Sequence, residues 1–255
     1  LIVRTHNIEH HLWEQQASTC ESSLKKIYLK KLAKQLKKYE LKSLQHVDGI
    51  MAISKSDADF MEKVLSGIPM EIIPTSFATD TKETDYESSD FYFLGAMDWQ
   101  PNIEGVDWLK SAVLPLITQE VDIHLAGKRM SCEEYAEQPI HCHGEVESAT
   151  DFIRAHGICL IPIRSGSGIK IKLLENMALG KPIITTNEGA RGVNVEHNKH
   201  VIIADTPAEF AEAMSRLKKD QNKRIELGTA ARSFVIDNFG EEKISNRIFE
   251  FITSI

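Results

Sequence analysis

The sequence has no apolar run approaching the roughly 18 residues of a membrane-spanning helix, so a soluble chain without a signal peptide, at most surface-attached, is expected. Cysteine is scarce. Cys20, Cys132, Cys142 and Cys159 are widely spaced with no CxxC pair, which predicts neither a zinc ribbon nor a disulfide framework and leaves a reducing, cytoplasmic setting as the default. There is no excess of positive charge: 30 Lys and Arg stand against 37 Asp and Glu, a net charge of -7, which argues against a generic nucleic-acid binder. The familiar phosphate signatures are also missing. There is no GxxxxGK[ST], and RSGSGIKIK (164–172) lacks the third glycine of GxGxxG, which disfavours nucleoside triphosphatases and nicotinamide enzymes.

What is present is alternation. LIVRT (1–5), GIMAIS (49–54) and MEIIP (70–74) read as strands, with helices over about 24–45 and from Ser56 or Asp57 to Gly67. Residues 76–90 are polar and aperiodic. Six more strand-like runs then follow with helices between them: FYFLG (91–95), VDIHLAG (121–127), IHCHG (140–144), ICLIPI (158–163), PIITT (182–186) and HVIIAD (200–205). That pattern predicts an α/β chain with a complete Rossmann-like domain, preceded by three strands, too few for an independent doubly wound sheet. The expected division is 1–80, a linker at 81–90, a domain at 91–239, and a helix at 240–255 crossing back to the first part. Because the chain starts at Leu1, directly with a strand, it reads as a piece of a longer protein.

The stretch RSGSGIKIKLLENMALGKP (164–182) carries the most chemistry. A strand ends, Gly166 and Gly168 allow a sharp turn, and a helix follows whose apolar face is Ile171, Leu174, Met177 and Ala178, with Gly180 as C-cap. A glycine loop opening a helix presents unpaired backbone N–H groups and suits a phosphate or diphosphate. Lys172 and Glu175 share another face of that helix. The residues alone support two readings: a surface ion pair, or a cation beside phosphates with a carboxylate able to accept from both hydroxyls of a ribose. His141-Cys142-His143 looks metal-like, but adjacent side chains on a strand point to opposite faces, so no metal is assigned there or to His6 with His10. The segment 24–45 holds eight lysines and one acid, Glu40. Its apolar stripe, Leu24, Tyr28, Leu32, Leu36 and Tyr39, either packs on the sheet or lies on an anionic membrane.

FLGAMDWQPNIEGVDWL (93–109), LAG (125–127), HGEV (143–146), PIRSGSGIKIKLLENMALGKPIITT (162–186) and GARG (189–192), in this order, resemble the C-terminal domain of the retaining GT-B glycosyltransferases. The resemblance implies a GT-B fold, with residues 91–239 as nucleotide-sugar domain and 1–80 as a truncated half of a second Rossmann-like, acceptor-side domain. It also implies transfer of a sugar from a UDP-, GDP- or similar nucleotide sugar to a glycan or lipid-linked acceptor in polysaccharide biosynthesis. No metal or other cofactor is implied, and no nucleic-acid partner. Membrane contact through 24–45 would place the protein at the inner face of the membrane, and this piece alone would be inactive. The alternatives are a nucleotide-sugar epimerase of the same architecture and a non-catalytic nucleotide-binding protein.

Residue by residue, the resemblance makes Glu175 the ribose ligand, the backbone of Gly166, Ser167, Gly168 and Ile169 the diphosphate cradle, and Val146 of HGEV part of the segment facing the base. His6 resembles a histidine that reaches the donor from the other domain and can stabilise the leaving diphosphate as the catalytic group. Two departures stand out. Ser167 occupies the place of the family's other glutamate, eight positions before Glu175, and the loop GAMDWQPN (95–102) has no cation. Lys172, Lys170, Arg164 and Lys128 are the candidates to supply the missing charge.

Overall fold

The computed structural model describes the chain except Glu21, Thr79, Asp80, Thr81, Glu83, Ser167 and the side chains of Gln15 and Thr19. It divides into two compact units, Leu1–Ser76 with Glu241–Ile255, and Phe77–Gly240.

Unit 1 begins with β1 (Ile2–Arg4), α1 (Glu9–Thr19), α2 (Ser23–Leu44), β2 (Gly49–Ala52), α3 (Lys55–Val64) and β3 (Met70–Ile72). The strands pair in parallel in the order β1-β2-β3. Helix α3 starts earlier than its sequence pattern suggests because the Ser54 side chain caps it, accepting from the Asp57 N–H at 3.2 Å. Helix α1 has no counterpart in the periodicity analysis, and its first turn depends on α2. Glu40 accepts from the Glu9 N–H at 3.1 Å and lies 2.6 Å from Nδ1 of the buried His10. His10 is thereby committed to Glu40, while His6 is exposed in the loop between β1 and α1.

The predicted stripe of α2 does not face inward as a whole. Leu29, Ala33 and Leu44 are buried instead, whereas Leu24, Ile27, Tyr28 and Tyr39 are exposed. The reason is rotational: Glu40 must face α1, which turns the helix so that only Leu32 and Leu36 of the stripe reach partial cover.

Unit 2 comprises β4 (Phe91–Leu94), α4 (Gln100–Trp108), β5 (Ile123–Ala126), α5 (Cys132–Tyr135), β6 (Ile140–Gly144), α6 (Ala149–Ala155), β7 (Ile158–Ile161), α7 (Ile171–Ala178), β8 (Ile183–Thr185), β9 (Ile202–Ile203), α8 (Pro207–Lys219) and α9 (Gln221–Phe239). The last helix, α10 (Glu241–Ser254), belongs to unit 1, where its Ile244 and Phe251 bury against Met51 and Ile73.

The unit 2 strands form one parallel sheet in the order β6-β5-β4-β7-β8-β9, a doubly wound arrangement whose order reverses between β4 and β7. Both faces are covered, which is why the strands read as continuous apolar runs. Phe91, Phe93 and Leu125 pack on one side with Val106, Trp108, Phe210 and Met214 of α4 and α8. Tyr92, Cys159 and Ile161 pack on the other with Phe152, Leu174, Met177 and Val235 of α6, α7 and α9.

Edge strand β6 differs from expectation. Its Cys142 forms a disulfide with Cys132 of α5, with Cα atoms 5.3 Å apart, although the spacing of the cysteines suggested no disulfide. The strand returns beside the α5 turn, and that proximity is a tertiary fact no spacing rule carries. On its opposite face stand His141 and His143. His124 of β5 stacks with His141 at 4.9 Å and with His156, which follows α6, at 4.1 Å between ring centres. Burial, then the neighbouring imidazoles, pull His124 down to about 4 against the opposing pull of Asp90, and the same two causes lower His143.

The segment before β4 is fastened to unit 2. Thr84 donates to the Leu179 carbonyl at 2.7 Å, and the buried Arg224 guanidinium donates to the carbonyls of Tyr86, Leu217 and Lys218 at 2.8–3.1 Å. Among the described residues no helix is long and apolar enough to cross a membrane. Removing Arg224 leaves several carbonyls without a donor, each costing about 1–3 kcal/mol. Arg224→Met is therefore expected to destabilise the protein by about 3–5 kcal/mol in urea unfolding monitored by tryptophan fluorescence. A loss under about 1 kcal/mol would contradict this clamp.

Candidate functional site

At the switch between β4 and β7 two loops leave the carboxyl ends of adjacent strands, 95–99 leading into α4 and 162–170 leading into α7. Ligands of open α/β sheets bind in such a crevice. Gly166 and Gly168 have φ of +110° and +70°, so the second loop turns in a way that L side chains resist. A Cβ on Gly166 would also stand 3.3 Å from the Trp99 ring, which lies over the loop while remaining 37% exposed. Among the described residues no side chain caps α7; the Leu173 N–H donates to the Lys170 carbonyl at 2.9 Å, and the positive end of the helix faces the loop. Ser167 lies outside the described residues.

Lys172, in the first turn of α7, points at α4. Its Nζ donates to Oδ1 of the buried Asn102 at 2.7 Å and lies 4.5 Å from the centre of the Phe93 ring. The Asn102 amide is oriented by donating its own N–H to the Ala96 carbonyl at 2.7 Å. A Cβ on Gly95 would come within 2.6 Å of Lys172 Nζ and 2.9 Å of the Asn102 amide, so only glycine leaves the ammonium its seat. Among the described residues Lys172 has no carboxylate within ion-pair distance, and the surface pair with Glu175 is not formed. Burial of the ammonium, opposed in part by Cys159 and then Glu175, draws Lys172 down to about 8.

Glu175 lies one turn along the same helix and remains exposed. Partial desolvation still raises its carboxyl above the ordinary range, with Lys172 opposing. The helix is turned slightly from its predicted orientation, so that Ile171 is 40% exposed and Leu173 is buried in its place.

The other candidate cations divide by role. Lys170 is buried, donates to the Gly168 carbonyl at 3.0 Å and pairs with Glu188 at 3.3 Å, which locks the glycine loop to the 186–191 turn. Glu188 had no distinguishing signal in sequence, since its partner is 18 residues away. Arg164 lies over the Trp108 ring at 5.3 Å, committed to packing. Lys128 is exposed in the loop after β5, where its carbonyl accepts from the Met97 N–H at 2.9 Å and draws that loop against the one after β4. Ile169 and Val146 pack against the core on the α7 face. The fold thus gathers Gly166, Gly168, Ile169, Lys172 and Glu175 on one loop and helix. His6 belongs to the other unit.

Residues 88–220, more than half of the chain, match the family model for glycosyl transferases group 1. The chain belongs to this family. Among curated relatives of this glycosyl transferase, an uncharacterized 44.6 kDa protein in the cps region of Klebsiella pneumoniae is 23% identical over 265 residues, covering 98% of this chain and 67% of the relative. A GDP-mannose-dependent α-(1-6)-phosphatidylinositol monomannoside mannosyltransferase of Mycobacterium tuberculosis is 27% identical over 116 residues, with 41% of this chain and 30% of the relative covered. Among solved structures, Anabaena HepE in complex with UDP-glucose superposes with a TM-score of 0.69 at 14% identity, covering 100% of this chain and 72% of that one. The fold is α/β of the GT-B type.

A half-buried ammonium without a counter-ion weakens the free protein. Lys172→Met should therefore raise stability, by about 1–2 kcal/mol, or roughly 2–4 °C in the thermal midpoint. Calorimetry near neutral pH checks this, and an unchanged or lowered midpoint would show that Asn102 and Phe93 already compensate the charge.

Proposed function

We propose that the carboxyl edge of unit 2 binds the nucleotide diphosphate of a sugar donor, and that the sugar passes to a hydroxyl of a glycan or lipid-linked acceptor with retention of configuration. One observation carries this reading: Lys172 is a desolvated cation with no anionic partner among the described residues, seated beside an uncapped helix N-terminus and a glycine loop. That arrangement costs stability until an anion arrives, and a diphosphate supplies one.

In this reading Lys172 and the first amides of α7 neutralise the diphosphate, and the same groups stabilise the charge that grows on it as the glycosidic bond breaks. Glu175, on the same helix, accepts from the ribose hydroxyls. His6 is the proposed group from unit 1 that donates to the departing phosphate. The positive charge at the diphosphate then comes from protein, so transfer is proposed to need no metal there. The GDP-mannose in the name of the mycobacterial relative and the UDP-glucose held by HepE support UDP- and GDP-sugars as the donors to try first.

Calorimetric titration with UDP, GDP and their sugars tests this. Glu175→Ala should weaken binding by tenfold or more, and Lys172→Met by more than that, while Arg164→Ala should change it little. The pH dependence has a definite sign. A bound diphosphate favours the charged form of Lys172, so affinity should hold below about pH 8 and fall as the pH rises beyond it, by at most tenfold per unit. Lys172→Met should abolish that dependence, and binding unaffected by either substitution would refute the assignment.

The exposed face of α2 supports peripheral membrane contact as part of the same proposal. Leu24, Ile27, Tyr28 and Tyr39 lie on one side of the helix together with the exposed Lys31, Lys38 and Lys42, a mixture suited to an anionic bilayer surface. Sedimentation with phosphatidylglycerol vesicles should show binding that neutral vesicles do not. Replacing Lys31, Lys38 and Lys42 with Glu should reduce it by about 100-fold, at about 1 kcal/mol per lysine. Equal binding to both kinds of vesicle would remove the membrane from the proposal.

A further inference from the structure

The histidines of unit 2 form a cluster that nucleotide-sugar binding does not use. His124 of β5, His143 of β6 and His156 after α6 each bring one ring nitrogen to a common point, with all three atoms within 4.8 Å of one another. His124 Nδ1 and His143 Nε2 are 2.9 Å apart. We infer that these three imidazoles form a binding site for a divalent transition metal of the zinc class, joining β5, edge strand β6 and the end of α6.

Four observations support the site. The first is its dimensions. Zn–N bonds of about 2.0–2.1 Å in tetrahedral geometry place ligand nitrogens about 3.4 Å apart, a value between the shortest and longest separations seen here. Small ring rotations would complete the set.

The second is the outer partner of His156. Its Nδ1 lies 2.5 Å from the Asp90 carboxylate, which leaves Nε2 with its lone pair free for a metal. A carboxylate that receives the far N–H of a metal-bound histidine fixes both tautomer and ring orientation. Asp90 is itself held, accepting from the Gly157 N–H at 2.8 Å and from the Ser88 hydroxyl.

The third is the wall and the opening. Phe152 packs its ring against His143 and His156, at 5.4 and 4.6 Å between centres, which shields one side from water. His143 is exposed, so an ion can enter and a water can complete a fourth position. The fourth is donor type. Three imidazoles suit zinc, cobalt, nickel or copper, whereas magnesium and calcium require oxygen ligands. The site therefore cannot stand in for a metal at the diphosphate.

The role that fits this position is structural. β6 lies at the edge of the sheet and, among the described residues, pairs only with β5, with a shift of register at His143. The disulfide fastens it on one face, and a metal held by His143, His124 and His156 would fasten it on the other.

The test uses the full chain after treatment with a chelator and dialysis. Titration with zinc should show one equivalent bound, and cobalt(II) should give the visible d–d absorption of a tetrahedral site without a thiolate-to-cobalt charge-transfer band. His143→Ala, at an exposed position, should leave the circular dichroism of the metal-free protein unchanged and weaken zinc binding at least 100-fold. Asp90→Asn should weaken it about 10- to 100-fold. His46→Ala and His197→Ala, both outside the cluster, should have no effect. Zinc binding that survives His143→Ala, a thiolate band with cobalt, or no stoichiometric binding would overturn the inference. If His124→Ala fails to fold, the result with His143→Ala still decides.

Discussion

The hydrogen bond from Lys172 to Asn102 spans the reversal point of the unit 2 sheet, and much of the candidate site is arranged around it. It joins the first turn of α7 to the first turn of α4, the two helices that leave adjacent strands of opposite winding. For the ammonium to reach Asn102, residue 95 must lack a Cβ, Phe93 must offer its ring, and the Asn102 amide must be turned by the Ala96 carbonyl. All of these groups are neutral. A neutral amide and a ring can orient a charge but cannot replace the solvation it loses, so the lysine is left with a depressed proton affinity. A protein selected only for stability would have a hydrophobic residue here, or a carboxylate opposite it.

The neighbouring cation is a useful contrast. Lys170, two residues away, is more completely buried but has Glu188 as its counter-ion, so its charge is spent on holding the loop. Two lysines at the mouth of one helix therefore differ in their partners, a carboxylate for Lys170 and a neutral amide for Lys172. The glycine loop that precedes them is constrained at both ends, through Lys170 to the 186–191 turn and through Ser165, which donates to Glu104 of α4 at 2.7 Å. A loop tied in this way can present its amides to a diphosphate without a large ordering cost on binding.

Much of this architecture could be read from the chain. Continuous apolar strands alternating with helices gave the doubly wound sheet, and the glycines at 166 and 168 marked the turn into α7, because each depends on local pattern. The elements that escaped depend on residues distant in sequence. Helix α1 has little apolar periodicity of its own and is capped by Glu40, about 30 positions later. Which face of α2 packs inward depended likewise on a distant partner, since the half-buried Glu40 is turned toward α1. Lys172 could be named as a countercharge, but whether it paired with Glu175 or turned to Asn102, 70 positions earlier, depended on the packing of α4 against the loop.

Strand β6 shows how a correct local rule can still mislead. Adjacent residues on a strand do face opposite ways, and His141-Cys142-His143 cannot supply three ligands to one ion. The same rule places His141 and His143 on a common face, and the parallel register brings His124 beside them. Cys142, on the other face, is released to pair with Cys132. A metal at the histidines and metal-free chemistry at the diphosphate are thus compatible, because imidazole and phosphate oxygen select different ions. It follows that sensitivity to a chelator would not by itself reveal a metal in the transfer step. Restoration by magnesium would point to the diphosphate, and restoration by zinc alone to the strand that the histidines hold.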